Sequence, residues 1–100
     1  MTRYEKLSIA LKYYLVGKKY DTALRAMTFA KNYHTGMRKD GITPEIQHQI
    51  EIALYITTLK NIRDEQNVIA VALLHDVMED YDVEFDTIYT QFGREIAESV

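Results

Sequence analysis

The sequence predicts an all-α domain of about five to six helices, and three observations carry that expectation. Apolar residues recur at helical spacing along most of the chain, as in Leu7, Leu11, Tyr14 and Leu15. The single Pro and the four Gly fall where such periodic segments stop, and no repeat or low-complexity tract separates the segments into parts. Finally, 47% of the 100 residues are apolar and 27% charged, ordinary globular proportions for one small domain that buries roughly 65% of its unfolded surface. There is no cysteine, so the fold rests on packing alone, and a disulfide framework, a thiolate metal site and a cysteine nucleophile are excluded.

Taken in order, the pattern places a first helix over 4–16 with Gly17 as its stop. Asp21 suits the N-cap of a second helix running to about Tyr33, with Ala23, Ala26, Met27 and Ala30 on one stripe. The polar stretch from His34 to Ile42 contains Gly36 and Gly41 and reads as a loop. Thr43-Pro44 has the form of an N-cap followed by Pro at the first helical position. The helix that follows is apolar on two sides, Ile46, Ile50, Ala53 and Leu54 on one and Ile52, Tyr55, Ile56 and Leu59 on the other, which belongs in the middle of a domain. The run from Val68 to Met78 is more apolar still, and Asp64 is placed to cap it as a helix. A short helix from about Asp86 ends at Gly93, and a last one opens near Arg94.

The longest uninterrupted apolar stretch, Val68 to Leu74, is far below the ~20 residues of a membrane span, and the first residues have no signal-peptide core, so a cytoplasmic location is expected. Net charge is -3, yet residues 1–39 carry nine basic and two acidic side chains while residues 76–100 carry one basic and eight acidic. Such a division suits either an anion and a cation bound on opposite sides or two solvated faces that neutralise each other. The negative total and the lack of a basic helical stripe argue against nucleic-acid binding.

The chemistry gathers at the end of the most apolar helix. His75 and Asp76 follow directly on Val68–Leu74. Burying an ionised carboxylate without a partner costs several kcal/mol, about the scale of a domain's margin, so a positive group is expected beside Asp76. If the helix continues, His75, Asp76, Glu79 and Asp80 span an arc of about 140° on one side of it. No basic residue lies between Arg63 and Arg94 to neutralise them, whereas a divalent metal would. Imidazole and carboxylate without thiolate suit Mn²⁺ or Fe²⁺, and less exclusively Zn²⁺. A second histidine is required: His48, in line with Ile52 and Ile56 and so pointing inward, or His34 at the end of the second helix. Spacing does not choose between them. Arg38-Lys39, in the loop before His48, has the chemistry to clamp phosphates, and Arg also stacks on a flat base.

These residues resemble a known family. Leu73-Leu74-His75-Asp76-Val77-Met78-Glu79-Asp80 is similar to the LLHDxxED signature of the HD-superfamily hydrolases, and its ED pair resembles the RelA/SpoT-type hydrolases of the alarmone (p)ppGpp. Upstream, Ala30, His34, Gly36, Arg38-Lys39-Asp40-Gly41, Pro44 and His48 resemble the family's AHxGQxRKxGxPYxxHP run, and Phe92-Gly93-Arg94-Glu95-Ile96-Ala97 resembles its FGxxVA segment. The resemblance runs from about Ala23 to Val100 and implies an HD-domain helical bundle.

It further implies that His48, His75 and Asp76 ligate Mn²⁺, that Glu79 and Asp80 orient or deprotonate the attacking water, and that Arg38 stacks on guanine while Lys39 holds the base or a phosphate. His34 matches a family histidine that is not a ligand. The implied activity is metal-dependent hydrolysis of the 3′-pyrophosphate of (p)ppGpp, as in the stringent response. The alternatives are an HD phosphohydrolase acting on a dNTP, a cyclic nucleotide or NADPH, and a non-catalytic module binding a nucleotide or a protein, with a homo-oligomer open in each case. Three positions depart from the family's run: Glu45 stands where it has Tyr, Gln49 where it has Pro and Met37 where it commonly has Gln. The loop between Gly41 and Pro44 is one residue longer. The family's fourth ligand is an Asp in a later helix, so residues 1–100 are expected to form the N-terminal part of a longer domain.

Overall fold

The computed structural model describes all residues except His34, Thr35, Arg38 and Lys39, and all side chains of the remainder except those of Met78 and Glu79. Among the described residues the chain folds into six helices and one single-turn segment: α1 (Arg3–Lys18), α2 (Asp21–Tyr33), α3 (Ile46–Thr57), α4 (Glu65–Leu74), the single turn α5 (Val77–Asp80), α6 (Phe85–Phe92) and α7 (Arg94–Ser99). The all-α expectation holds. The described β-type pairing is an isolated bridge between Met37 and Pro44, which closes the loop between α2 and α3.

Each helix boundary has a local cause. α1 opens with a capping box: the Thr2 hydroxyl accepts from the Glu5 amide, and the Glu5 carboxylate accepts from the Thr2 amide. It ends two residues later than the glycine pattern implies, because Gly17 stays inside the helix and Lys19 takes the left-handed conformation at φ 60°. Asp21 is the first helical residue of α2 rather than its cap. The amides of Thr22 and Ala23 are instead satisfied from another helix, by the side-chain oxygen of Gln66 at 2.9 and 3.3 Å. Thr43 does not cap α3 either. Its amide and hydroxyl both donate to the Asp40 carboxylate, so these residues build a turn, and α3 begins at Ile46. Asp64 occupies the N-cap position of α4 but in the left-handed region, with no side-chain cap bond. Asn61 and Asp82 also take positive φ, which short polar side chains tolerate in loops. Gly93 separates α6 from α7 at φ 91°, ψ 168°, a conformation essentially reserved for glycine.

The domain is flattened, 18 Å across its shortest dimension against 35 and 32 Å along the others. α4 lies in the middle, packed on α2, α3 and α7, while α1 covers α2 and α3. Its Ile69, Ala70, Leu73 and Leu74 are fully buried. They pack with Leu11 and Leu15 from α1, Ile46 and Ile50 from α3, and Ile88 from α6 in one core. Burying each such large side chain contributes about 1.5–3 kcal/mol before chain entropy is counted. The two-sided apolar expectation for α3 needs correction. Ile46, Ile50, Ala53 and Ile56 are buried, but Tyr55 is 64% exposed because α3 lies beside α4 and shows its outer face to solvent, and Leu59, exposed too, lies beyond the end of α3. The polar residues Gln47 and Gln49 are buried on α3 instead.

Candidate functional site

The site forms where α4 ends. The apolar pattern carries through to Met78, but the helix does not: α4 stops at Leu74, and α5 starts afresh at Val77. His75 keeps helical angles (φ -49°, ψ -47°), whereas Asp76 moves to φ -98°, ψ 0°, a bridge conformation common at active sites. Leu74 and Val77 on either side are fully buried, so the break is pinned at both ends by the core. The Asp76 carbonyl then accepts from the Asp80 amide at 2.9 Å, which keeps Asp80 one helical turn beyond Asp76.

The break changes the electrostatic argument. His75 has 67% and Asp76 34% of its side chain exposed, so the expectation of a deeply buried carboxylate that only a cation can satisfy is corrected. Solvent reaches both groups because the helix opens there. Asp76 is nonetheless held on one side. Its Oδ2 accepts a hydrogen bond from Gln49 Nε2 at 3.0 Å, and its Oδ1 lies 3.8 Å from His75 Nε2. Among the described residues no Lys or Arg forms an ion pair with this carboxylate. Among the described residues its charge is therefore oriented by a neutral donor.

The other anticipated residues are distributed as follows. His48 lies on α3 directly before Gln49, and its side chain is exposed, which corrects the expectation that it points inward. The helical period places Gln49, one residue on, against the core in its stead. Asp80 is exposed on α5. His34, Arg38, Lys39 and the side chain of Glu79 lie outside the described residues. The structure thus brings His75 and Asp76 together and ties Asp76 to the residue after His48. Among the described residues, no group of three ligating side chains encloses a metal position. An imidazole and a carboxylate facing each other, without thiolate, fit the donor chemistry of a hard or borderline divalent ion.

A second set of contacts borders this region. Glu45 precedes α3, its amide donates to the Gly36 carbonyl at 3.0 Å, and its carboxylate accepts from the Tyr81 hydroxyl at 2.8 Å. This bond, more than burial, pushes the Tyr81 phenol pKa up. Glu45 also fills the space beside Gly36: a Cβ there would lie 3.2 Å from Glu45 Oε1. Gly36 is thereby fastened, through Glu45, to Tyr81 after α5. Neither Gln49 nor Tyr81 stood out as a site residue in the sequence. The available signal for Gln49 was a polar residue set among Ile46, Ile50 and Ala53 on the core stripe.

The HD domain family model matches residues 26–100, and the chain belongs to that family. It is 37% identical over 76 residues to a guanosine-3′,5′-bis(diphosphate) 3′-pyrophosphohydrolase of Aquifex aeolicus, a match covering 76% of this chain and 10% of that protein. It is 34% identical over 76 residues to a probable guanosine-3′,5′-bis(diphosphate) 3′-pyrophosphohydrolase of Synechocystis, covering 76% of this chain and again 10% of the relative. Along all 100 residues it is 29% identical to the bifunctional (p)ppGpp synthase/hydrolase SpoT of Escherichia coli K12, of which it covers 14%. The chain therefore spans about a tenth to a seventh of the length of these relatives. No solved structure matches it. No helix of the described residues is long and apolar enough to cross a membrane.

Proposed function

We propose that this chain carries the metal- and nucleotide-binding part of a phosphohydrolase that removes the 3′-pyrophosphate of (p)ppGpp. The observation that carries the reading is the His75–Asp76 pair, presented at an opened helix end within a chain related to 3′-pyrophosphohydrolases. In this reading His48, His75 and Asp76 hold the divalent ion, with Mn²⁺ the best candidate. Such an ion, when bound, polarises water and withdraws charge from a phosphate oxygen. Asp80, one turn beyond Asp76, and Glu79 beside it orient the attacking water and take its proton. Arg38 stacks on the base and Lys39 offsets phosphate charge, while His34 is not a ligand.

A second reading concerns the substrate. Glu45, bonded by Tyr81, puts a carboxylate where the (p)ppGpp hydrolases carry Tyr, which favours an HD phosphohydrolase of another nucleotide such as a dNTP, a cyclic nucleotide or NADPH. One experiment tests both. The protein is assayed with Mn²⁺ for phosphate or pyrophosphate release from ppGpp and from that panel. Release from ppGpp that disappears in His75→Ala and Asp76→Ala supports the first reading, and release from another nucleotide alone supports the second. Activity unchanged in both variants refutes the assignment of the site.

A further inference from the structure

Gln49 is 2% exposed, yet it carries a primary amide. A buried amide without a partner costs about 1–3 kcal/mol, so such a side chain persists in a core only where it is bonded. Its bond goes to Asp76 Oδ2, 27 residues away in the chain, and leaves Oδ1 on the side of the His75 imidazole. A neutral donor suits this task. An Arg or Lys there would orient the carboxylate and also cancel its charge, whereas an amide fixes its rotation and leaves the charge for a cation.

We propose that Gln49 is a positioning residue for metal binding: it anchors Asp76 through Oδ2 and keeps Oδ1 turned toward His75. The inference rests on the hydrolase reading above, in which Asp76 and His75 are ligands. It also gives α3 two tasks at consecutive residues, a ligand at His48 and an anchor at Gln49, so that metal binding couples α3 to the end of α4. The (p)ppGpp hydrolases' run has Pro at this position, which has no side-chain donor, so the anchor is a feature of this chain's own sequence.

The test is the Mn²⁺ dissociation constant, read from the paramagnetic resonance of free Mn²⁺, for the unaltered chain, Gln49→Met and Asp76→Ala. Thermal melts of the metal-free proteins show that each is folded at the assay temperature. The expected result is measurable binding by the unaltered chain, weakening of about 10- to 100-fold in Gln49→Met, and loss in Asp76→Ala. Binding in Gln49→Met equal to that of the unaltered chain, with Asp76→Ala still defective, overturns the inference and leaves the hydrolase reading intact. Failure of the unaltered chain to bind Mn²⁺ overturns both. If Gln49→Met does not fold, the unaltered chain suffices: its Gln49 side-chain amide resonances must broaden on Mn²⁺ addition, and their persistence refutes the placement.

Discussion

Replacing Glu65 with Ala removes a tertiary joint whose strength follows from two distances. Glu65 Oε1 accepts from the Tyr14 hydroxyl at 2.8 Å and from the Tyr20 hydroxyl at 2.9 Å, so the first residue of α4 is tied to α1 and to the residue before α2. A hydrogen bond to a charged group contributes about 1.5–3 kcal/mol when desolvated. Here both phenols share one oxygen and are only partly buried, so solvent lowers each contribution. The expected loss is about 2 kcal/mol in total, below the roughly 3 kcal/mol that two such bonds supply at the low end of that range. For a domain of this size each kcal/mol lowers Tm by about 4–8 °C, so Glu65→Ala melts roughly 8–16 °C lower. The assay is thermal unfolding at pH 7, with Tyr14→Phe and the double variant completing a cycle. Burial, followed by the bond to Glu65, pushes the Tyr14 pKa up to about 12, and the bond to Glu65 is the leading cause of the upward shift at Tyr20. A phenol whose pKa is higher folded than unfolded stabilises the fold fully below its ordinary pKa, about 10, and loses that contribution as pH rises through the folded value. The unaltered chain therefore loses stability between about pH 10 and 12, and Glu65→Ala loses less over that window. Additive effects of Glu65→Ala and Tyr14→Phe, or the same alkaline loss in both proteins, refute the reasoning.

Two further outcomes follow from the packing. Gly93→Ala places a side chain at φ 91° where the surrounding space is open, so its cost is purely conformational, about 1–3 kcal/mol, seen as a lower urea midpoint with an unchanged m-value. A neutral result there shows that the turn between α6 and α7 readjusts freely. Leu73→Ala empties part of the fully buried face of α4 and lowers stability by about 2–5 kcal/mol in equilibrium unfolding, whereas Tyr55→Ala, on the exposed face of α3, changes it by less than about 1 kcal/mol. Equal effects of the two contradict the assignment of which helix faces are buried.

The comparison of Gly17 with Gly93 shows how far local pattern reaches. Both are glycines at the end of a periodic segment, but Gly93 ends its helix in a conformation that strongly favours glycine, while Gly17 lies within α1 and Lys19 makes the turn. The same contrast holds at the caps. The box of Thr2 and Glu5 is local, whereas the acceptor for the first amides of α2 is Gln66, 44 and 43 residues away. At the site, the sequence alone brings out the adjacency of His75 and Asp76 after an apolar run, together with the family resemblance that assigns them a metal. That signal is strong because it lies within eight consecutive residues, Leu73 to Asp80.

Helical content, the strongly apolar Val68–Leu74 segment and the chemistry at its end are legible in the residues alone, since helical period and motif spacing are written within a few positions. The central position of α4, its opening at Asp76, the outward face of His48, the inward face of Gln49 and the bond from Gln49 to Asp76 emerge with the packed fold. Those outcomes depend on which face of α3 meets α4, a choice made by packing between residues far apart in the chain, and no local period encodes it.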